Sequence, residues 1–122
     1  MASAIKINFS SSTDGKGIKI AATATAGTAI HTATSSATPG AGGTWDEIWL
    51  WVYNSDTVSR VLTVEFGGAT APDNNIVQTI PSQSGEVLVV PGFILQNSAT
   101  LKAFGSAANV LCVSGFVNRV TN

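Results

Sequence analysis

The sequence predicts an all-β fold: an antiparallel β-sandwich or jelly-roll-like arrangement of about nine or ten short strands, with no long helix. In most segments apolar and polar residues alternate with a period of two, as they do along half-buried strands. Gly, Pro, Asn, Asp and Ser interrupt this alternation every several residues, which is typical of turns between short strands. No window of ten or more residues shows the 3.6-residue period of an amphipathic helix.

The first 44 residues are rich in Ala and Thr and contain no tryptophan. Alternation predicts strands over residues 4–10, 18–25 and 28–34. Residues 35–44 read SSATPGAGGT and are predicted to form a flexible surface loop. We therefore assign residues 1–44 to N-terminal strands and a loop, an arm or outer strands of one domain, and residues 45–122 to the sandwich core.

The central stretch, residues 45–66, reads WDEIWLWVYNSDTVSRVLTVEF and contains all three tryptophans and the only tyrosine. Two apolar runs flank a polar connection at residues 54–60, which predicts an antiparallel β-hairpin. Since side chains alternate across a strand, one face is uniformly apolar and is predicted to be core. Its members are Ile48, Leu50, Val52, Leu62, Val64 and Phe66.

The opposite face of this hairpin carries Trp49, Trp51 and Tyr53, with Glu65 placed across from Trp49. Three large rings in a row form an apolar patch that proteins rarely leave bare. Either a second sheet of the same chain covers the rings, or another molecule does. Together with Trp45, these four residues are our candidate interface residues.

Five further strands are predicted after the central stretch. Pro91-Gly92 is a strong turn signal, so we expect residues 86–90 and 93–96 to form separate strands. The other three predicted strands cover residues 76–80, 101–104 and 110–120.

Composition excludes several function classes. A chain of 122 residues is one domain by length. Only 11% of its residues are charged, the net charge is −1, and the six basic residues are scattered, so we expect no nucleic-acid partner. The N-terminus lacks a signal-peptide pattern, and the longest apolar run is too short to span a bilayer. We expect no membrane partner and synthesis inside a cell.

Catalytic and metal-binding motifs are also lacking in the sequence. One histidine, His31, and one cysteine, Cys112, give no zinc-binding spacing, so we expect no metal and no cofactor. His31 could act as a base beside a serine, but no nucleophile-elbow motif is present, and we expect this side chain to be half-exposed. Cys112 is interpreted as a small buried hydrophobe. We expect the protein not to be an enzyme.

Residues 45–122 resemble small β-sandwich structural proteins of tailed-bacteriophage virions, namely head-decoration (cement) proteins and related tail modules. The shared features are an aromatic strand ending in Tyr-Asn, a Val/Thr strand ending in Phe-Gly-Gly, an Ile-Pro turn, a Pro-Gly-x-x-Leu step, and a closing Ser-Gly-Phe-Val-Asn-Arg strand. No catalytic signature belongs to this pattern, and residues 1–44 contribute nothing to it.

The resemblance implies a homo-oligomer, with a trimer favoured, that binds the phage major capsid protein on the capsid surface after synthesis in the bacterial cytoplasm. A cement protein stabilises a shell because it binds the assembled state better than the free subunits. The first alternative is a tail, baseplate or fibre-attachment module that binds a tail protein. The second is a carbohydrate-binding module in which Trp49, Trp51 and Tyr53 stack on sugar rings.

Overall fold

The computed structural model describes residues 2–122 and confirms the all-β prediction, with nine strands and no helix in that range. Met1, the first residue of the predicted N-terminal region, lies outside the described residues. The strands are β1 (Ser3–Ile7), β2 (Ile18–Lys19), β3 (Thr28–Thr32), β4 (Thr44–Asn54), β5 (Arg60–Phe66), β6 (Asn75–Ile80), β7 (Val87–Leu95), β8 (Thr100–Gly105) and β9 (Leu111–Thr121). Within residues 2–122 no helix is available to cross a membrane.

The strands form two antiparallel sheets. Sheet A has the order β1-β9-β4-β7, with β2 also pairing β9, and sheet B has the order β3-β8-β5-β6. The chain reverses direction between β5 and β6. Moving outward along the chain from that point, β5 pairs with β6, β4 with β7, β3 with β8 and β2 with β9, so each pair encloses the previous one. This nesting, with the pairs distributed over two sheets, is the winding of a jelly roll. β1 is an additional strand at the edge of sheet A.

The predicted β4–β5 hairpin is wrong, because β4 and β5 belong to different sheets. β4 instead pairs along its whole length with β9, from Thr44 opposite Thr121 to Asn54 opposite Leu111. The parity assignment remains correct, because the inner faces of both strands point into the same core. Leu50 and Leu62 are fully buried, as are the other predicted core residues of these strands except Phe66, which is partly buried.

Asn54 explains how the chain leaves sheet A after β4. Its side chain is fully buried, and Nδ2 donates hydrogen bonds to Val58 O (2.9 Å) and Ile80 O (3.0 Å). Its Oδ1 accepts a hydrogen bond from the Asp56 N–H at 2.9 Å. A buried amide that is satisfied on both sides holds the connection in a crossing path rather than a hairpin turn.

The two strands predicted at residues 86–90 and 93–96 are one continuous strand, β7, which spans Val87–Leu95. The register between β7 and β4 shifts twice. Gly92 is a bulge next to Trp49, and Val89 is a bulge next to Trp51. Pro91 is tolerated because β7 is an edge strand, and Gly92 adopts a positive φ of 80°. The predicted turn is therefore a bulge.

The N-terminal strands are shorter than predicted. β2 ends at Lys19, because the N–H groups of Ala21 and Ala22 donate to Thr28 Oγ1 (3.2 and 3.1 Å) rather than to a neighbouring strand. In β1, Ile5 remains 59% exposed at the sheet edge, whereas Phe9, beyond its end, is buried.

We expect Leu50→Ala to lower the free energy of unfolding by about 2–5 kcal/mol, because it deletes a fully buried side chain between the two sheets. Leu88→Ala is the matched control, since Leu88 is 42% exposed on the other face of sheet A. Chemical denaturation measures both. Equal losses for the two variants would contradict the assignment of the inner face.

Candidate functional site

The predicted ring face of β4 lies on the outer face of sheet A, opposite the core. Trp45, Trp49, Trp51 and Tyr53 are each partly exposed there, and the aliphatic residues between them are fully buried on the inner side. Sheet B packs against that inner side. The alternative in which a second sheet of the chain covers the rings is therefore wrong.

The neighbouring strand β9 adds a further ring, Phe116, directly opposite Trp49. Its centroid lies 6.1 Å from that of Trp49 and 6.0 Å from that of Trp51, and the two tryptophan rings are 6.3 Å apart. We call Trp49, Trp51 and Phe116 the aromatic cluster. Lys6 on β1 completes it, with Nζ 4.4 Å from the Phe116 centroid in a cation–π contact.

Phe116 was not among the predicted interface residues, although the signal was present. In the run VLCVSGFVNRV, Val113 and Val117 alternate inward, so Phe116 must point outward. The close approach of β9 to β4 depends on Gly115, whose φ is 144° and where a Cβ atom would collide with Trp49 O.

On the other side of β4, strand β7 extends the apolar surface. Pro91 lies opposite Trp49 and Leu88 opposite Trp51. Leu88 is 42% exposed and Ile94, further along β7, is 56% exposed. The rings of β4 and β9 and the apolar side chains of β7 therefore form an apolar patch on the outer face of sheet A, which sheet B does not cover, and such patches mark interaction sites.

A small cleft lies at one end of this face and has a volume of about 220 Å³. The Nε2 of Gln96 donates to Thr38 O (2.8 Å) and Thr44 O (2.9 Å), which fixes the loop that forms one wall. The cleft is smaller than the ~300–1,000 Å³ typical of small-molecule sites. Its lining residues are Pro39, Gly40, Trp45, Ile94 and Gln96.

Glu65 does not join the other candidate interface residues. It lies in sheet B, opposite Asn75 and Lys102, and is only 2% exposed. Its carboxylate accepts hydrogen bonds from the Gly27 N–H at 2.6 Å and from Thr25 Oγ1. The predicted position across from Trp49 is wrong, because it depended on the β4–β5 pairing. Glu65 instead holds the connection between β2 and β3 against sheet B.

A buried polar network centred on Asp46 lies at the inner side of β4. Asp46 is fully buried, and its Oδ1 accepts a hydrogen bond from Arg119 Nε (2.8 Å). Its Oδ2 accepts from Arg119 Nη2 (3.0 Å), from the Thr34 N–H (3.2 Å) and from His31 Nε2 (2.8 Å). This carboxylate thus connects β4 and β9 of sheet A with β3 of sheet B and the residues that follow β3.

His31 is only 4% exposed, so the prediction of a half-exposed side chain is wrong. Its Nδ1 accepts hydrogen bonds from the Ser10 N–H (3.0 Å) and from Ser10 Oγ (2.8 Å). These contacts are satisfied by the tautomer that carries its proton on Nε2, facing Asp46. Sequence reasoning missed the network because its members lie far apart along the chain.

The hydrogen bonds run from Ser10 to His31 and from His31 to Asp46, as in the Ser-His-Asp triad of a hydrolase. Whether this serine can act as a nucleophile depends on the groups around it. A triad needs N–H donors that point at the developing oxyanion. The two N–H groups that follow Ser10 already have acceptors within the chain. The Ser11 N–H donates to Ile30 O (3.1 Å), and the Ser12 N–H donates to Phe9 O (2.9 Å). The backbone next to Ser10 therefore lacks the donors of an oxyanion hole.

Opposing effects act on the pKa of Asp46. Burial raises it, but the hydrogen bonds that Arg119 and His31 donate, together with the positive charge of Arg119, outweigh burial and hold the pKa below its usual value. The same contact raises the pKa of Arg119. Asp46 is therefore ionised at neutral pH, and the adjacent Arg119 guanidinium balances its negative charge.

Cys112 lies on the outer side of β9, opposite Tyr53, and is partly exposed rather than a core residue as predicted. Burial, together with the negative charge of Glu86, raises the pKa of its thiol. The thiol is therefore protonated at neutral pH and is a weak nucleophile. In the described range no group of three or more His, Cys, Asp and Glu side chains lies close enough together to hold a metal ion.

No family model, curated protein or solved structure matches this chain.

We expect Asp46→Ala to lower the free energy of unfolding by about 3 kcal/mol at neutral pH, because it leaves Arg119 and His31 without their anion. Since folding lowers the pKa of Asp46, its contribution is complete above about pH 4 and is lost as pH falls through the folded-state pKa. Denaturation midpoints measured from pH 7 to pH 2 should fall less steeply in the variant.

Asp56→Ala is the control for this prediction, because Asp56 forms an ion pair with Arg60 near the surface. We expect a much smaller loss of stability, since solvent screens such pairs. Equal losses for the two variants at pH 7 would contradict a special role of the Asp46 network.

Proposed function

We propose that this protein is a non-enzymatic structural protein of a bacteriophage virion, a decoration protein that binds the assembled capsid through the outer face of sheet A. The observation that carries the proposal is the aromatic cluster, which lies outside the core and is continuous with the exposed Leu88 and Ile94. Aromatic side chains at the centre of an apolar patch are typical anchors of protein interfaces.

The electrostatic character of the chain supports binding to a protein lattice. Only 11% of its residues are charged and the net charge is −1, so little repulsion opposes close packing against neighbours. On the outer face of β4 the only charged side chain is Glu47. A weak contact of this kind is multiplied when several copies bind one particle. Cyclic trimers, which the resemblance favours, would provide that multivalency.

The winding of the chain supports the same proposal by analogy. Jelly rolls are common in viral capsid proteins, and also in lectins and cupins, so the fold alone does not select among them. The resemblance of residues 45–122 to virion proteins favours the capsid function over the others. The polar network of Asp46, His31 and Ser10 then acts as a cross-link between the sheets.

We expect Trp51→Ala to weaken binding to phage particles by about tenfold or more, because it removes a central ring of the aromatic cluster. The measurement is co-sedimentation of the protein with particles that lack it. Phe104→Ala is the matched control, since Phe104 is a partly exposed ring on sheet B, and it should bind like the wild type. Equal weakening by both substitutions would contradict docking through sheet A.

Immunoelectron microscopy of intact particles separates the capsid proposal from a tail, baseplate or fibre-attachment module. Antibody label over the shell supports a decoration protein. Label confined to the tail overturns the capsid assignment while leaving the docking face in place.

Carbohydrate binding is the second candidate, because all three rings of the aromatic cluster lie within 32° of one another. Neighbouring, similarly inclined rings can stack on successive sugars. Affinity electrophoresis in gels containing bacterial surface polysaccharide tests this candidate. Retardation of the wild type, but not of Trp51→Ala, would favour the carbohydrate function.

We expect no catalysis at Ser10, because the adjacent N–H donors are engaged within the chain. Hydrolysis of p-nitrophenyl acetate should proceed at the same rate with the wild type and with Ser10→Ala. A burst of p-nitrophenol and an acetyl group on Ser10, found by mass spectrometry only in the wild type, would overturn the non-enzymatic proposal.

A further inference from the structure

The free edges of the two sheets differ in how they are protected. An edge strand presents unpaired N–H and C=O groups, which proteins usually guard with charges, prolines, bulges or a covering segment. β3 is covered by the chain after Phe9, where the Ser11 N–H donates to Ile30 O at 3.1 Å. β7 contains Pro91 and two bulges, β1 carries Lys6, and β2 carries Lys19.

β6 is the unguarded edge. Its sequence, NIVQTI, contains no charged residue, proline or glycine. Its register with β5 runs without a bulge from Asn75 to Ile80. Val77, at the middle of the strand, is 62% exposed, the highest value among the large apolar side chains described as exposed. β6 therefore has the properties of a strand that can accept another strand.

The hydrogen-bond pattern shows which backbone groups of β6 are free. The Phe66 N–H donates to Asn74 O at 2.8 Å, at the end of the β5–β6 ladder. Antiparallel strands bond at alternate residue pairs. Counting from Phe66 and Asn74, the backbone groups of Ile76 and Gln78 bond to β5.

The residues between them, Val77 and Thr79, direct their N–H and C=O groups away from β5. The Thr79 carbonyl accepts only a side-chain hydrogen bond, from Gln78 Nε2 at 3.2 Å. No other segment of residues 2–122 donates to or accepts from the backbone of Val77. The outward N–H and C=O groups therefore occur at alternate residues, as antiparallel pairing with a further strand requires.

We propose that the free edge of β6 binds β6 of a second copy of this protein, antiparallel and about a two-fold axis, so that sheet B continues from one copy into the other. This contact is separate from the outer face of sheet A, on which the proposed capsid docking rests. It therefore goes beyond that function and can fail independently of it.

A second copy is the occupant that the chain itself favours. A two-fold axis brings each outward N–H of one strand to an outward C=O of the other, and neither strand carries a charge that would oppose the approach. β7 lies on the same side of the sandwich, where its Phe93 is 47% exposed and packs edge-on against Phe66. Phe93 adds apolar area beside the paired strands.

The proposed contact between the two β6 strands is small. Two six-residue strands cover much less than the ~800 Å² per partner of a standard interface. The dimer is therefore weak and concentration-dependent, and becomes abundant only where copies are held close together, as on a particle surface.

Sedimentation equilibrium over a wide concentration range tests this inference. Val77→Pro removes the outward N–H and leaves the ladder to β5 intact, so the dimer dissociation constant should rise about tenfold or more. Val77→Thr, which keeps the N–H and the β-branched shape, should dimerise like the wild type. Val77→Lys keeps the backbone and adds a charge at the edge, and it should also lose the dimer.

Circular dichroism melts show whether each variant is folded, and the same series in a Trp51→Ala background removes any association through sheet A. A wild type that remains monomeric at millimolar concentration overturns the proposal. So does a folded Val77→Lys that dimerises normally, or a dimer that is lost with Trp51→Ala alone. Either of the last two results places self-association elsewhere and leaves capsid docking through sheet A to be judged by its own test.

Discussion

The ionised carboxylate of Asp46 is the constraint on which the rest of the structure depends. A fully buried charge is tolerated only where opposite charge and hydrogen-bond donors surround it, and here they come from two distant segments of the chain. Arg119 comes from the last strand of sheet A, and His31 and Thr34 come from and just after an edge strand of sheet B. The two sheets must therefore meet in one relative position for the carboxylate to be satisfied.

The same strand carries the buried network, the core and the candidate interface. Asp46 and Leu50 point inward from β4, while Trp49 and Trp51 point outward. Because β4 lies between β9 and β7, its outward rings are flanked by Phe116 on one side and by Pro91 and Leu88 on the other. The candidate interface is thus built on a strand that is paired on both sides and anchored by a buried network, which keeps the rings in fixed positions.

Much of the fold could be predicted from local pattern, because side-chain parity does not depend on which strands pair. The core positions of β4 and β5 were correct for that reason, and the outward direction of Trp49 was correct as well. The pairing itself could not be read locally. The buried amide of Asn54 sends the chain across to the other sheet, where a sequence pattern predicts only a loop.

The residues missed by sequence reasoning illustrate the same limit. Phe116 reaches the aromatic cluster only because β9 lies beside β4, although the two strands are far apart in sequence. His31 is buried because Asp46 and Ser10 approach it from different segments. Alternation along a single strand shows which way a side chain points, but it does not show which strand lies beside it, and these contacts depend on that pairing.

The nested winding has a consequence for how the chain folds. Its outermost pair places Ile18 opposite Val113, so many contacts join residues that are distant in sequence, and folding rates fall as that separation grows. The innermost pair, β5–β6, closes a much shorter loop and can form while the outer pairs are still open. The unguarded edge of β6 is then exposed throughout the slow part of folding. In newly made chains at high concentration, completion of the jelly roll therefore competes with association of incompletely folded chains through that edge.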